Sequence, residues 1–227
     1  MGMWTRANKN INLAQYSTVC DPECLWSMKL SPPKERQYIL RMMIACPGHK
    51  VCIPNELEWL RDLIAISWAK QLSHKVVHPF IYVTVRHGEV TSTTDDDWHA
   101  DGFSTRISHN PEQNYIWSSN PSTEFLRQSF NIPEDFDPLR HNLHWYFQDR
   151  ANEKLAYSLD PETVVLIDPY VIHRRPKVKV GTTRTFVRIS FVPIEIRDDV
   201  CTPNSLLPAK RYGTGDFRHE LTRFTAR

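Results

Sequence analysis

His99 and Asp101 stand two residues apart in Trp98-His99-Ala100-Asp101-Gly102, and another histidine, His173, ends the apolar run Tyr170-Val171-Ile172. On an extended segment, residues i and i+2 point to the same face. One imidazole and one carboxylate therefore reach toward a common point. With His173 they make two nitrogen donors and one anionic oxygen donor. That set suits a ferrous ion held on one side, with its remaining positions open to other ligands. His-x-Asp alone is short enough to arise by chance. The segment after His173 makes it specific.

His173 opens His-Arg-Arg-Pro; Arg184 comes eleven residues later, and Arg188-Ile189-Ser190 begins fifteen residues later. Thr183–Pro193, TRTFVRISFVP, has strong strand composition,. On one strand, residues 184, 186, 188 and 190 share a face. Two guanidinium groups and a hydroxyl then project together, near where His173 points. Burying two arginines without acids is costly unless an anion neutralises them. The planar guanidinium fork suits a carboxylate. The expectation is a carboxylate bound close to a metal.

The order His-x-Asp, a distant His, and then Arg with Arg-x-Ser on the next strand resembles the Fe(II)/2-oxoglutarate-dependent dioxygenases. The resembling part runs from about Phe80 to Pro193, roughly half the chain. It implies a double-stranded β-helix, the cupin-like jelly roll. It implies His99, Asp101 and His173 as iron ligands and catalytic centre, with dioxygen and 2-oxoglutarate as co-substrates. The co-substrate would chelate iron through its C1 carboxylate and keto oxygen, and an arginine would pair with its C5 carboxylate. Arg184 lies at a common family distance from the distal histidine, whereas Arg188 has the Arg-x-Ser context with Ser190. Both remain candidates. Tyr82, Thr84 and Asn114 sit where family members place a hydroxyl or amide against 2-oxoglutarate. The activity implied is hydroxylation of a small molecule with release of succinate and CO2. An oxygenase acting on nucleic acid or protein, and a non-catalytic carboxylate-binding jelly roll, are the alternatives.

Composition sets the frame for this chemistry. The 227 residues suffice for a single domain with a full core,. A net charge of +2 is too small to imply a nucleic-acid or anionic-membrane partner,. The basic segment Lys210–Arg227 reads as a solvated tail. No apolar run approaches a membrane span, and the first twenty residues lack the apolar block of a signal peptide. The expected compartment is the cytoplasm. Five cysteines, an odd number, fit reduced thiols there,. Cys20, Cys24, Cys46 and Cys52 lack standard zinc-finger spacing and read as packed thiols. The remaining histidines, His49, His74, His78, His87, His109, His141, His144 and His219, read as structural or exposed.

The elements that must position the site follow from periodicity. Residues 1–78 form an N-terminal segment with a supporting helix, 79–193 the jelly-roll core, and 194–227 a C-terminal extension. Residues 36–46 read as a strand. Asn55 is a suitable N-cap for a helix whose Leu57, Leu60, Leu63, Ile64 and Trp68 form an apolar stripe made for a sheet. Phe80–Val85, ending at His87-Gly88, and Asn114–Trp117 read as strands. Residues 120–142 read as an insert with a helical turn at Glu124–Ser129. Leu143–Phe147 and Lys154–Ser158 read as extended, and Asp160–Thr163 as a turn into Val164–Ile167. Trp98, Phe103, Tyr115 and Trp117 divide between pocket lining and core filling. One helix followed by many short strands excludes a βαβ repeat. The fold class is mainly β with packed helices.

Overall fold

The computed structural model describes residues 12–74, 78–91, 97–102, 111–137, 141–196 and 200–207. Phe103, His109, His219 and the basic segment Lys210–Arg227 lie outside them.

Two antiparallel sheets dominate. The larger has six strands in the order β1-β7-β4-β9-β3-β2. They are β1 (Glu23–Ser27), β2 (Gln37–Ala45), β3 (Phe80–Glu89), β4 (Gln113–Ser118), β7 (Thr163–Ile167) and β9 (Thr183–Val192). The smaller sheet has the order β6-β5-β8, from β5 (Glu124–Leu126), β6 (Ala156–Ser158) and β8 (His173–Arg174).

The alternation of side chains along each strand builds the layers. On the outer face of the large sheet, Val83, Val85, Tyr115, Trp117, Val187, Ile189 and Phe191 form one apolar cluster with Leu57, Leu60, Leu63 and Ile64. Leu63 and Ile64 lie on α1 (Arg61–Leu72), and the stripe read from the sequence does pack on a sheet. Fully burying a side chain such as Leu63 contributes roughly 1.5–3 kcal/mol. On the inner face, Ile116, Val165 and Ile167 meet Phe125 and Val171 of the facing layer. The far side of the small sheet presents Leu126 and Ile172 to Leu143 and Phe147 of α2 (Leu143–Arg150). Trp98 is fully buried in that same cluster. Trp98, Tyr115 and Trp117 thus fill cores.

Three expectations are corrected. Glu124–Leu126 is a strand, not a helical turn. Phe125 and Leu126 are both buried but belong to opposite clusters, which consecutive residues achieve only in extended chain,. Leu143–Phe147 is helical, not extended. Leu143 and Phe147 bury one face at i, i+4 while Trp145 is 73% exposed,. The Asn142 side chain caps α2 by accepting from the His144 and Trp145 amides at 2.9 and 3.3 Å,. The supporting helix starts without a cap from Asn55: Asn55–Leu60 is a 3-10 turn after Pro54, with no side-chain cap bond, and it runs into α1.

β3 also runs past the expected stop at Gly88. That residue has φ +127, and an added Cβ would fall 2.9 Å from Arg36 Cγ. Glycine therefore serves here as a tight passage within the strand rather than as its end. Among the described residues, no helix is long and apolar enough to cross a membrane.

Candidate metal centre

His99 and His173 are brought together by their own backbones. The His99 amide donates to the His173 carbonyl at 3.0 Å, and the His173 amide to the His99 carbonyl at 2.9 Å. Residue 99 thereby adds one rung beside β8. In the register of β5 and β8, Phe125 faces His173, so His173 shares the inward face with Phe125,. Asp101, two residues beyond His99, completes the group. One ligand atom from each of His99, Asp101 and His173 lies within 4.8 Å of the others. For a first-row divalent ion with bonds near 2.1 Å, adjacent ligand atoms sit about 3 Å apart. His173 Nε2 and Asp101 Oδ2 are 3.3 Å apart. The donor set fits a metal.

The backbone also sets the imidazole tautomers. His99 Nδ1 lies 2.7 Å from the Asp97 carbonyl, and His173 Nδ1 lies 3.0 Å from the Val171 carbonyl. A carbonyl only accepts, so each Nδ1 carries the proton and each Nε2 keeps its lone pair for a metal. Burial, then the neighbouring His173, pulls His99 down to about 4, which keeps its ring neutral,. Burial pushes Asp101 up, but Arg188, and then His173 and His99, outweigh it and hold the carboxyl well below its usual range. The site therefore turns two Nε2 atoms and one carboxylate toward a common point.

Arg188 corrects the expectation of two arginines without acids: its guanidinium makes an ion pair with Asp101, both side chains being mostly buried. Thr84 and Ile116 flank Arg188 in the register of β9. Arg184 differs. Only 7% exposed, it donates from Nε to the Pro121 carbonyl at 2.8 Å and from one terminal nitrogen to Thr123 Oγ1 at 3.3 Å. Neither partner is an acid. Burial, then Arg175 and Arg86, pulls its guanidinium down to about 9. The two arginines share a strand face but serve different groups.

The expected hydroxyl and amide contacts are engaged within the protein. Ser190 Oγ donates to Asn114 Oδ1 at 2.6 Å, and Asn114 Nδ2 to Glu112 Oε1 at 3.0 Å. The Tyr82 hydroxyl accepts from the Ile196 amide, and Thr84 Oγ1 from the Arg41 amide. The structure thus groups His99, Asp101, His173 and Arg188, and sets Arg184 with Thr123.

Several neighbours of the site were not legible in the sequence. His144 on α2 packs its ring 5.7 Å from that of His99, with Nε2 3.1 Å from the Ala100 carbonyl. The i, i+4 pair Leu143 and Phe147 behind Asn142 was the available signal for that helix. Glu112 is half-buried near Arg188, and desolvation pushes its carboxyl up. Gly102, at φ +93, turns the chain after Asp101; an added Cβ would meet Glu112 Cγ at 2.5 Å and Pro169 Cγ at 2.8 Å. Trp98 anchors the ligand segment: its amide donates to Gln148 Oε1 at 2.8 Å, its ring nitrogen to Glu153, and Arg174 stacks 4.0 Å above its ring. The thiols lie apart from all this, with Cys46, Cys52 and Cys201 in one cluster and Cys20 in another, while Cys24 is exposed on β1.

No protein-family model matches this sequence, and no curated protein matches it.

Proposed function

We propose that the chain folds as a double-stranded β-helix and acts as an Fe(II)- and 2-oxoglutarate-dependent dioxygenase. Its reaction would be hydroxylation of a small molecule in the cytoplasm, with release of succinate and CO2. The observation that carries this reading is the convergence of His99, Asp101 and His173 within 4.8 Å, beside two sheets that also bury an arginine with no acid partner among the described residues. Two facing antiparallel sheets, with the metal ligands at the inner side of the smaller one, support the jelly-roll part.

In this reading His99, Asp101 and His173 hold Fe(II) through Nε2, carboxylate oxygen and Nε2. Iron held there would supply the oxidative decarboxylation of 2-oxoglutarate by dioxygen and the oxidation of a substrate C–H bond. Arg184 and Thr123 receive the C5 carboxylate, since Arg184 is the buried guanidinium without a counter-charge. Thr123 and Phe125, which packs 6.3 Å from the His173 ring, line one cavity with Ile116 and Val165. Ile116, Phe125, Leu159 and Val165 give that cavity an apolar side, and Ser118, Ser122, Thr123, Thr163 and Asp160 a polar one. Arg188 holds Asp101 ionised and oriented. Ser190, Asn114 and Glu112 form a hydrogen-bonded wall behind it.

Purified protein with Fe(II), 2-oxoglutarate and air should form succinate slowly even without substrate, and His99→Ala should form none. Succinate at the level of an iron-only control would refute the assignment.

A further inference from the structure

Arg175 is the group that the proposed function leaves without a task. β5 and β8 pair with Glu124 opposite Arg174 and Phe125 opposite His173. Continued by one residue, that antiparallel register sets Arg175 opposite Thr123. Cross-strand partners share a face, with Cβ atoms about 5 Å apart. Thr123, Phe125, His173 and Arg175 therefore belong to one face, while Arg174 turns the other way and is satisfied by Glu124, Glu153 and the Trp98 ring.

From the opposite layer Arg184 reaches the same threonine, donating to Thr123 Oγ1 at 3.3 Å. Arg184 of the larger sheet thus meets Thr123, and Arg175 of the smaller sheet stands across from that same residue. Arg175 forms no ion pair or hydrogen bond with a described residue, and its buried Nε has no partner. Arg184 has only a carbonyl and a hydroxyl. Like charges brought together in a part-buried site repel unless an anion separates them. A single carboxylate balances only one of the two cations. A compact dianion balances both, and the fork geometry of arginine suits phosphate oxygens as well as carboxylate.

We propose that Arg175, Arg184 and Thr123 form a pocket for a compact dianion of the phosphate class. Free phosphate and the phosphate group of a small ester share this chemistry. Occupancy by either would exclude a carboxylate from Arg184. That exclusion rests on the reading of Arg184 as the co-substrate anchor, whereas the pocket itself does not.

The test uses metal-free protein and sodium phosphate, with sodium chloride at matched ionic strength as control, read as the thermal unfolding midpoint. Wild type should be stabilised saturably by phosphate and not by chloride. Arg175→Gln should weaken apparent phosphate affinity about tenfold or more, because it deletes one of two charge-assisted partners. Arg175→Lys should fall between, keeping the charge but losing the fork. Both variants should keep the wild-type near-UV circular dichroism, since Arg175 makes no hydrogen bond or ion pair with a described residue. A simple phosphate monoester such as glycerol phosphate, titrated alongside, separates the two sources: tighter binding than phosphate assigns the pocket to an ester, weaker binding to the free ion. Phosphate acting no better than chloride, or equally on wild type and both variants, overturns the pocket. Phosphate that binds through Arg175 but is not displaced by 2-oxoglutarate leaves the pocket standing and removes Arg184 from the co-substrate site.

Discussion

At the residue scale, the ligands differ in what their loss does to the fold. His99→Ala and His173→Ala should abolish Fe(II) binding at a modest cost in stability, because the Nδ1 of each ring bonds only a carbonyl two residues away, that of Asp97 or Val171. Asp101→Ala should also abolish binding, but it strands the mostly buried Arg188 without its counter-charge. Breaking a buried pair from one side costs about 3–5 kcal/mol, so urea unfolding should single out this variant. Equal stability of the three would contradict the role given to Arg188. Gly102→Ala meets both a left-handed backbone and the crowding from Glu112 and Pro169. A cost of about 1–3 kcal/mol is expected, together with weaker iron binding as Asp101 shifts. Arg184→Ala should weaken 2-oxoglutarate binding by about 2 kcal/mol or more, some thirtyfold. Arg188→Ala should act mainly through the metal instead. The sequence announced the triad because His-x-Asp and a distant histidine need only spacing to be recognised. It did not announce that Arg188 pairs with Asp101, because that contact joins residues 87 positions apart through the pairing of whole strands.

At the element scale, strands with strong composition were legible and short elements were not. β9, β3 and β4 carry β-branched and aromatic residues in long runs, and the structure has them close to where the pattern places them. β5 is three residues long, too short for a period to register, and it exists because β6 and β8 flank it. That missed strand hid Thr123, whose inward direction follows only from strand alternation. α2 was missed because aromatic residues favour strands as much as helices. Its cap decides the matter, and Asn142→Ala should cost about 1 kcal/mol. The same variant should broaden the His144 ring resonances in NMR spectra, because the helix that seats His144 against Ala100 loses its first turn. An unchanged unfolding midpoint would show that packing of Leu143 and Phe147 alone fixes α2.

At the scale of the whole molecule, the two-sheet fold stands on apolar clusters spread over both sheets and both helices, so a metal held at the site would be an addition to it. Removing metal with a chelator should leave far-UV circular dichroism intact. Restoring Fe(II) at about a hundred times its Kd should add ~2.7 kcal/mol, and unfolding of the chelated protein at room temperature would contradict this. The central claim is narrower: one site holds iron and 2-oxoglutarate together. Its most direct test is the visible spectrum of the anaerobic protein with Fe(II), titrated with 2-oxoglutarate. Chelation of the metal by the keto acid gives a weak charge-transfer band. The band should saturate in wild type, vanish in His99→Ala, Asp101→Ala and His173→Ala, and require far more 2-oxoglutarate in Arg184→Ala. A band that survives all three ligand substitutions, or never forms in wild type, would contradict the assignment.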